Sequence, residues 1–291
     1  MVLSITTDYQ LDQGDPQPFL CAIAEAGFTH IHWCHQWNTD FVYHEAEIVQ
    51  IHHWLKAYGL QLADVHGSEG REKFWYSPKE YARLAGVELV KNRIDLAAHL
   101  GGDAVVMHLY PPTRDPELAQ FNDIIWDQLR KTLDALQPYA LARGIRIALE
   151  NLIDFRGVAV GAVSKMEAVD NFDIILRVYE HYPPEYIGFC YDSGHAILGY
   201  NRMDRLAPLL RRLAVLHLHD NDGQADQHRL PFTGAVDWPL AAELIAAAPY
   251  TKPMSYEVSM HNTGMNSEQE FLQNAYAAGV RFTDMVAAQR Q

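Results

Sequence analysis

Cysteine is scarce in this sequence. Three cysteines, Cys21, Cys34 and Cys190, occur among 291 residues. They lie in apolar runs, and their spacing fits neither a disulfide framework nor a cysteine-rich metal motif. We therefore expect reduced thiols in a hydrophobic core, which is typical of a cytoplasmic protein.

A surplus of basic residues is also missing. Lysine and arginine number 23 against 37 aspartates and glutamates, which gives a formal net charge of −14. Binding to the phosphates of nucleic acids needs clustered lysine and arginine, so no nucleic-acid partner is expected. Bound divalent cations would offset part of the negative charge.

Long apolar runs are absent as well. No stretch approaches the run of about 18 apolar residues that predicts a membrane-spanning helix. The first residues, MVLSITTDYQLDQGDP, lack the basic start and apolar stretch of a secretory signal. Neither membrane insertion nor export is indicated, and a cytoplasmic location is expected.

What the sequence does contain is a regular alternation of short apolar runs with longer helical patterns, which is typical of β-strand–α-helix units in a parallel sheet. Eight such units close most readily into an α/β fold of the (β/α)8, or TIM, barrel type, which needs about 250 residues. We predict one such domain over residues 1–291. The predicted strands cover residues 2–7, 28–34, 61–66, 103–109, 145–151, 186–192, 213–219 and 254–259.

Several helices carry start signals. Asp15-Pro16 places a capping acid before a proline, whose missing N–H is harmless at a helix start. Ser77-Pro78-Lys79-Glu80 and Ser267-Glu268-Gln269-Glu270 fit the capping box, in which serine and glutamate satisfy each other's free backbone amides. We therefore predict helix starts at these three places.

Residues 213–238 gather three histidines behind an apolar run. His217 and His219 share one face of the predicted strand because side chains alternate. Asp226 and His228 follow in a loop that could fold back over them. These nitrogen and oxygen donors suit zinc, manganese or iron; the alternative is a solvated loop with capping aspartates.

Metal-capable residues end six successive predicted strands, the third to the eighth. Catalytic groups of TIM barrels lie at this end of the strands. Each residue alone has a structural explanation as a hydrogen-bonded or capping group, but their coincidence favours a metal site. These residues are His66, His108, Glu150, Asp192 with His195, His217 and Glu257. For His32 and His35, in THIHWCHQW, the sequence does not decide between structural and functional roles.

The combination of these motifs resembles the xylose-isomerase-like barrels, which include sugar phosphate isomerases and epimerases and endonuclease IV. The resemblance rests on Glu150, Asp192-Ser193-Gly194-His195, His217-Leu218-His219-Asp220-Asn221 and Glu257. It implies that Glu150, Asp192, His217 and Glu257 hold one divalent metal, as in the ketose epimerases of the group. It also implies that Glu150 and Glu257 carry protons and that His195 contacts the substrate.

Endonuclease IV has a fuller ligand set for three zinc ions, and this sequence matches it. The additional candidates are His66, His108, His195, Asp226 and His228. The sequence departs from that family in its acidic balance and in His66-Gly67-Ser68, where the family usually reads His-Ala-Pro. It departs from the ketohexose epimerases because no arginine directly follows Asp220-Asn221-Asp222.

The resemblance favours a metal-dependent isomerase or epimerase that removes a proton beside the carbonyl of a keto sugar or sugar derivative, through an enediolate. The expected cofactor is manganese or zinc, with magnesium or cobalt as alternatives. One alternative function is a multi-zinc phosphodiesterase resembling AP endonucleases; another is a metal-dependent lyase or dehydratase on a sugar or cyclitol. A binding protein without turnover is disfavoured because its carboxylates would have no role.

Aromatic residues near the same strand ends suit stacking on a carbohydrate substrate. They are Trp33, Trp37, Phe74, Trp75, Tyr110 and Trp238. Among them Trp33 and Trp75 are the predicted substrate contacts, beside His195, His66 and His108; the alternative is ordinary barrel packing. The sequence leaves open which sugar is used and whether the chain forms a homo-oligomer.

Overall fold

The structure is a computed structural model that describes residues 1–10, 14–68, 70–109, 123–154, 169–198 and 205–290. Eight parallel strands form one sheet, in which successive strands are neighbours and the last, at residues 254–256, pairs with the first, at residues 3–6. A parallel bridge between Leu218 and Tyr256 joins the seventh strand to the last. The sheet is therefore a nearly closed barrel, as predicted.

All eight predicted strands are present, with bounds that differ from the predicted ones by at most three residues. The barrel strands are β1 (Leu3–Thr6), β2 (His30–Trp33), β3 (Gln61–His66), β4 (Ala104–Met107), β5 (Arg146–Glu150), β8 (Ile187–Asp192), β9 (Leu213–His217) and β10 (Met254–Tyr256). A separate antiparallel pair consists of β6 (Ile153–Asp154) and β7 (Val169–Asp170).

Helices follow the barrel strands and cover the sheet. They are α1 (Gln17–Glu25), α2 (Glu45–Tyr58), α3 (Glu80–Leu100), α4 (Asp123–Leu141), α5 (Phe172–His181), α6 (Ser193–Ile197), α7 (Ala207–Leu210), α8 (Trp238–Ala247) and α9 (Glu268–Gln289). In the described part of the chain, none of these helices is both long and apolar enough to cross a membrane.

The core has two layers. Large aliphatic and aromatic side chains fill the space between the barrel and the helices. A second cluster consists of small buried residues of the central strands, and it includes Ala104, Val106, Ala148 and Cys190. Because these side chains are short, they leave room within the sheet for polar groups near the ends of the strands.

Two of the predicted helix starts are confirmed. The Ser267 hydroxyl accepts a hydrogen bond from the Glu270 N–H at 3.3 Å, directly before α9. Before α1, the Asp15 carboxylate accepts from the Gln17 N–H at 3.0 Å, and Pro16 is the N-cap residue. Both sites satisfy an amide that the first helical turn leaves free.

The helix start predicted at Ser77 is wrong. Helix α3 begins at Glu80, and its N-cap residue is Lys79, which makes no capping bond through its side chain. The guanidinium of Arg83 donates to both oxygens of Glu80, at 2.8 and 2.7 Å. The Ser77 hydroxyl accepts from the Lys79 N–H in the preceding turn instead.

Candidate metal centre

Glu150 and Glu257 meet at the imidazole of His217. Glu150 ends β5, His217 ends β9 and Glu257 follows β10, so the barrel brings together residues distant in sequence. His217 Nδ1 lies 3.3 Å from Glu150 Oε2 and 3.0 Å from Glu257 Oε2. His217 is fully buried, and neither of its ring nitrogens makes a well-aligned hydrogen bond.

The charges at this point are mutually stabilised. Burial alone would raise the pKa of Glu150 and Glu257, but His217 together with other neighbouring histidines outweighs burial and holds both pKa values well below the usual range. Burial would lower the pKa of His217, yet Cys190 and the two glutamates raise it well above its usual value. Both carboxylates therefore remain ionised and can bind a cation or a proton.

Asp192 lies at the turn between β8 and α6. Its carboxylate accepts a hydrogen bond from the His195 N–H at 2.6 Å and caps α6. Its backbone is fixed by Asn151, whose amide donates to the Asp192 carbonyl at 2.9 Å and whose side-chain oxygen accepts from the Asp192 N–H at 2.8 Å. These hydrogen bonds fix the backbone at the end of β8 and therefore the position of the Asp192 carboxylate.

His195 connects the glutamate side of the site to the loop after β9. Its Nδ1 lies 3.1 Å from Glu150 Oε1, and its Nε2 lies 3.3 Å from Asp226 Oδ2. Burial lowers its pKa, but Asp192, Asp226 and Glu150 together raise it well above the usual value. His195 therefore lies within reach of two negatively charged groups.

His66 and His108 complete the side of the site near β3 and β4. His108 Nε2 lies 3.0 Å from Glu150 Oε2. The centre of the His66 ring lies 4.8 Å from that of His108, and His66 Nδ1 lies 3.0 Å from the Gly67 carbonyl oxygen. Burial, followed by the neighbouring His108, lowers the pKa of His66 to about 3, so this imidazole is neutral at ordinary pH.

Asp226 and His228 do fold back over the site. His228 Nε2 lies 3.1 Å from Asp226 Oδ2, and its Nδ1 lies 2.9 Å from the Glu257 carbonyl oxygen. This arrangement needs a left-handed backbone at His228, with φ 48°, which is uncommon for a residue with a side chain. Despite burial, Asp226 and Glu257 raise the pKa of His228 to about 10.

His219, which the sequence placed beside His217 as a possible nitrogen donor but to which the resemblance gave no role, is part of the same constellation. It is fully buried, and its Nε2 lies 3.0 Å from Asp192 Oδ2. The ring occupies the space beside Gly194, where an added Cβ would lie 2.0 Å from His219 Cε1. Side chains alternate along the strand, so His219 lies on the same face as His217 and both rings point into the barrel.

The two tryptophans predicted to contact substrate, Trp33 and Trp75, are buried in the core of the structure. Trp33 is 1% exposed and donates a hydrogen bond from Nε1 to the Tyr43 hydroxyl, while Trp75 is fully buried. Trp33 borders a second cavity of about 390 Å³, whose lining also includes His35 and Gln36. Trp37 lies at the site, with its ring centre 4.5 Å from that of His66.

Two of the other aromatic candidates, Trp238 and Phe74, have structural contacts. Trp238 is buried and donates from Nε1 to Asp220 Oδ2 at 2.9 Å, so it supports the loop after β9. Phe74 packs against the core. Tyr110 lies outside the described residues.

A cavity of about 400 Å³ lies beside the centre. Its lining includes Asp8, Cys34, Gln36 and Trp37. Cys34 offers a ligand atom within 4.8 Å of one on Glu257, and Trp37 contacts His66, so the cavity adjoins the candidate centre. Its volume lies within the range of small-molecule sites.

The donor set fits a divalent metal. Ligand atoms within 4.8 Å of one another occur in the groups His66/His108/Glu150, Glu150/Cys190/His217, Asp192/His195/His219 and His219/Asp226/His228. The direct indication is Nε2 of buried His217, which makes no hydrogen bond, because buried polar groups without partners are rare unless an ion or water satisfies them. Imidazole and carboxylate ligands suit zinc and manganese.

Comparison with known proteins agrees with this architecture. A family model described as a xylose isomerase-like TIM barrel matches residues 20–276. An uncharacterised protein of Sinorhizobium fredii is 31% identical over 287 residues, which cover 92% of this chain and 88% of the relative. A probable endonuclease 4 of Mycobacterium leprae is 28% identical over 182 residues, which cover 59% of this chain and 63% of the relative.

Solved structures of sugar epimerases share the fold. A D-tagatose 3-epimerase-like protein superposes with a TM-score of 0.76 at 19% identity and covers 100% of both chains. The 3-keto-D-glucoside 4-epimerase from E. coli superposes with a TM-score of 0.71 at 17% identity, covering 97% of this chain and 100% of the other. At such identities the likeness shows the fold alone.

Proposed function

Because this chain belongs to the xylose isomerase-like TIM barrel family, we propose that it is a metal-dependent isomerase or epimerase of a keto sugar or sugar derivative. One observation carries the proposal. Two buried, ionised glutamates, Glu150 and Glu257, approach the same nitrogen of His217 from different strands beside a polar cavity. Paired carboxylates of this kind can remove a proton from carbon and return one.

The proposed proton transfers involve the carbon next to the substrate carbonyl. One glutamate takes the proton from this carbon, and the electron pair of the broken C–H bond moves toward the carbonyl oxygen. The other glutamate then delivers a proton. Delivery to the opposite face of the same carbon inverts it, whereas delivery to the former carbonyl carbon gives aldose–ketose isomerisation.

Glu150, Asp192, His217 and Glu257 are the proposed ligands of the metal, with manganese or zinc as the expected ion. When bound, the ion supplies Lewis-acid stabilisation of the negative charge that develops on the substrate oxygens. Glu150 would serve both as a ligand and as a proton carrier, as the resemblance implies.

The cavity is the proposed substrate pocket. Asp8, Gln36 and Asn38 offer hydrogen bonds to sugar hydroxyls, and Trp37 offers an aromatic face. Among the described lining residues there is no lysine or arginine, so an uncharged sugar fits better than a sugar phosphate. His195 is proposed to orient a substrate oxygen, and His66 and His108 either do the same or hold a second ion.

Solvent exchange tests this function. The metal-loaded protein is incubated in heavy water with unphosphorylated keto sugars and with their phosphates, and deuterium next to the carbonyl is followed by NMR. We expect exchange with at least one unphosphorylated sugar. Glu150→Gln, which keeps the shape of the side chain, should lower the exchange rate at least about 100-fold, because general base catalysis contributes about 10²–10⁴-fold.

The matched control is Glu80→Gln, which alters a glutamate outside the centre and should keep the wild-type rate. Exchange with none of the sugars by a metal-loaded wild-type protein would contradict the proposal. Equal rates for wild type and Glu150→Gln would remove the assigned role of Glu150.

A hydrolase is the second candidate, and the Asp226–His228 pair supports it. Asp226 Oδ2 lies 3.3 Å from His195 Nε2 and 3.1 Å from His228 Nε2, and Asp226 and His228 form a group of potential ligands with His219. In this case two or three zinc ions would bind a phosphodiester and activate water. About three ions per chain with incision of abasic DNA would favour this candidate over the isomerase.

A further inference from the structure

A second group of potential ligands lies near the ends of β1 and β2 and includes Glu257. His32, Cys34 and Glu257 each offer one ligand atom, and these atoms lie within 4.8 Å of one another. All three residues are buried, with exposures of 0%, 1% and 8%. The proposed function assigns no role to His32 or Cys34.

His32 is oriented as a metal ligand would be. Its Nδ1 is hydrogen-bonded to the buried carboxylate of Asp64, which in turn lies 3.4 Å from Lys252 Nζ. An ionised acid beside Nδ1 holds the imidazole proton there and leaves the Nε2 lone pair free. Metal-binding histidines usually have such a carboxylate behind them.

The other ring nitrogen of His32, Nε2, independently indicates a bound ion. It is completely buried and makes no hydrogen bond. Since Nδ1 is already engaged by Asp64, Nε2 is the nitrogen that remains for Cys34 and Glu257. A buried nitrogen without a partner is unfavourable unless something satisfies it, and a cation bound between these residues would do so.

Asp8 adds a further oxygen donor on the same side. It follows β1, and its carboxylate accepts a hydrogen bond from the Thr6 hydroxyl. Asp8 and Cys34 both line the 400 Å³ cavity. The cavity therefore provides a route by which an ion could enter, and Asp8 could complete a four-ligand set.

We propose that His32 Nε2, the Cys34 sulfur and the carboxylates of Glu257 and Asp8 form a second cation site. Glu257 is the one ligand that this site shares with the proposed catalytic centre. One nitrogen, one sulfur and two oxygens suit zinc or a similar late transition-metal ion rather than magnesium or calcium. When the ion binds, the Cys34 thiol releases its proton to solvent and a metal–sulfur bond forms. The inference does not rest on isomerase activity.

Cobalt is the probe that distinguishes this site from one without sulfur. Protein freed of metal is titrated with Co²⁺, and the near-ultraviolet sulfur-to-cobalt charge-transfer band is recorded with the number of bound ions. We expect the band in the wild type. Cys34→Ser should abolish it and reduce the stoichiometry by one ion, without dependence on catalytic turnover.

Cys21→Ser is the control, because Cys21 lies on α1 and belongs to none of the ligand groups described above. This variant should keep the band. His32→Gln, in which both ring nitrogens are lost, should weaken cobalt binding at the site at least about tenfold, and Asp64→Asn about 10–100-fold through loss of the orienting carboxylate.

Three results would overturn the inference. The first is a wild-type cobalt complex without the band, and the second is a band that survives Cys34→Ser. The third is loss of the band in Cys190→Ser with retention in Cys34→Ser, which would place the sulfur ligand at Cys190. Circular dichroism of Cys34→Ser that matches the wild type shows that a lost band is not due to unfolding.

Discussion

Asp64 shows how much one buried carboxylate depends on residues far away in the sequence. It lies on β3 and is completely buried, with His32 of β2 and Lys252 before β10 as partners. Burial would raise its pKa, but Lys252 and His32 outweigh burial and lower the pKa to about 2. Ionised Asp64 therefore stabilises the folded state.

Asp64→Asn should make stability less dependent on acid. Because the folded pKa, about 2, lies below the unfolded value of about 3.9, the stabilisation is present above pH 4 and is lost as the pH falls through 2. In metal-free protein, urea unfolding should give a wild-type advantage of about 2–3 kcal/mol at pH 6 that shrinks toward pH 2.

Asp103→Asn provides the comparison, since Asp103 also contacts Lys252 but its side chain is 45% exposed. Its effect should be smaller because exposed ion pairs contribute about 0–1 kcal/mol. A wild-type advantage over Asp64→Asn that stays constant from pH 6 to pH 2 would contradict the assigned charge state.

Some of the proposed site residues could be predicted from the sequence because they end strands. Glu150, Asp192 and His217 end their strands, so the barrel expectation alone brings them together. The partnership of His32 with Asp64 was not predictable, since it depends on the register of β2 against β3, which shifts between Ile31 and His32. The burial of Trp33 and Trp75 was not predictable either, because a tryptophan near a strand end can face either the site or the helices.

At the scale of elements, identical local signals had different outcomes. Ser267 and Ser77 each precede a glutamate by three residues, yet only Ser267 caps a helix. At Ser77, Arg83 and Gln128 both donate to Glu80, so the glutamate is not available for a capping box. Arg83 lies in the first turn of α3, but Gln128 lies on α4, which the local pattern around Ser77 does not contain. The strands, by contrast, were predictable because their apolar runs must be buried on both faces.

The turn between β8 and α6 packs directly against the chain that continues β9. An added Cβ on Gly194 would lie 2.0 Å from His219 Cε1, and His219 in turn contacts Asp192. Gly194→Ala should therefore push His219 away from Asp192. We expect metal affinity to fall about 10–100-fold, as it does when the outer partner of a ligand is lost.

A double-mutant cycle checks this explanation by isothermal titration of the metal. In a His219→Ala background the added methyl group no longer meets a ring, so Gly194→Ala should cost little further affinity. If the two substitutions instead weaken binding additively, the contact between Gly194 and His219 is not the cause.

At the scale of the whole molecule, the proposed metal ligands come from four different strands of the barrel. Glu150, Asp192 and His217 end β5, β8 and β9, and Glu257 follows β10 next to β1. The three carboxylates among them add to a chain whose formal net charge is −14 and are balanced locally by neighbouring histidines, and a divalent cation would add positive charge at the same point. A cation at the centre should therefore stabilise the fold as well as the site.

Removal of metal should lower the melting temperature, and its return should restore it. An ion that binds only the folded chain at a concentration 100 times its Kd stabilises it by about 2.7 kcal/mol, which corresponds to several degrees for a domain of this size. Calorimetry at fixed protein concentration, after chelation and then after addition of Mn²⁺ or Zn²⁺, measures this gain. Asp192→Asn keeps an oxygen that can accept from the His195 N–H but loses the charge, so most of the gain should disappear.

Cys34→Ser separates the two proposed cation sites in the same experiment. It leaves the strand-end carboxylates and His217 intact, so Mn²⁺, which favours oxygen and nitrogen donors, should still raise its melting temperature. A wild-type protein whose melting temperature does not respond to either ion would contradict the metal centre. An equal response in Asp192→Asn would show that the stabilising ion binds elsewhere, since the charge at the end of β8 would then contribute nothing to its binding.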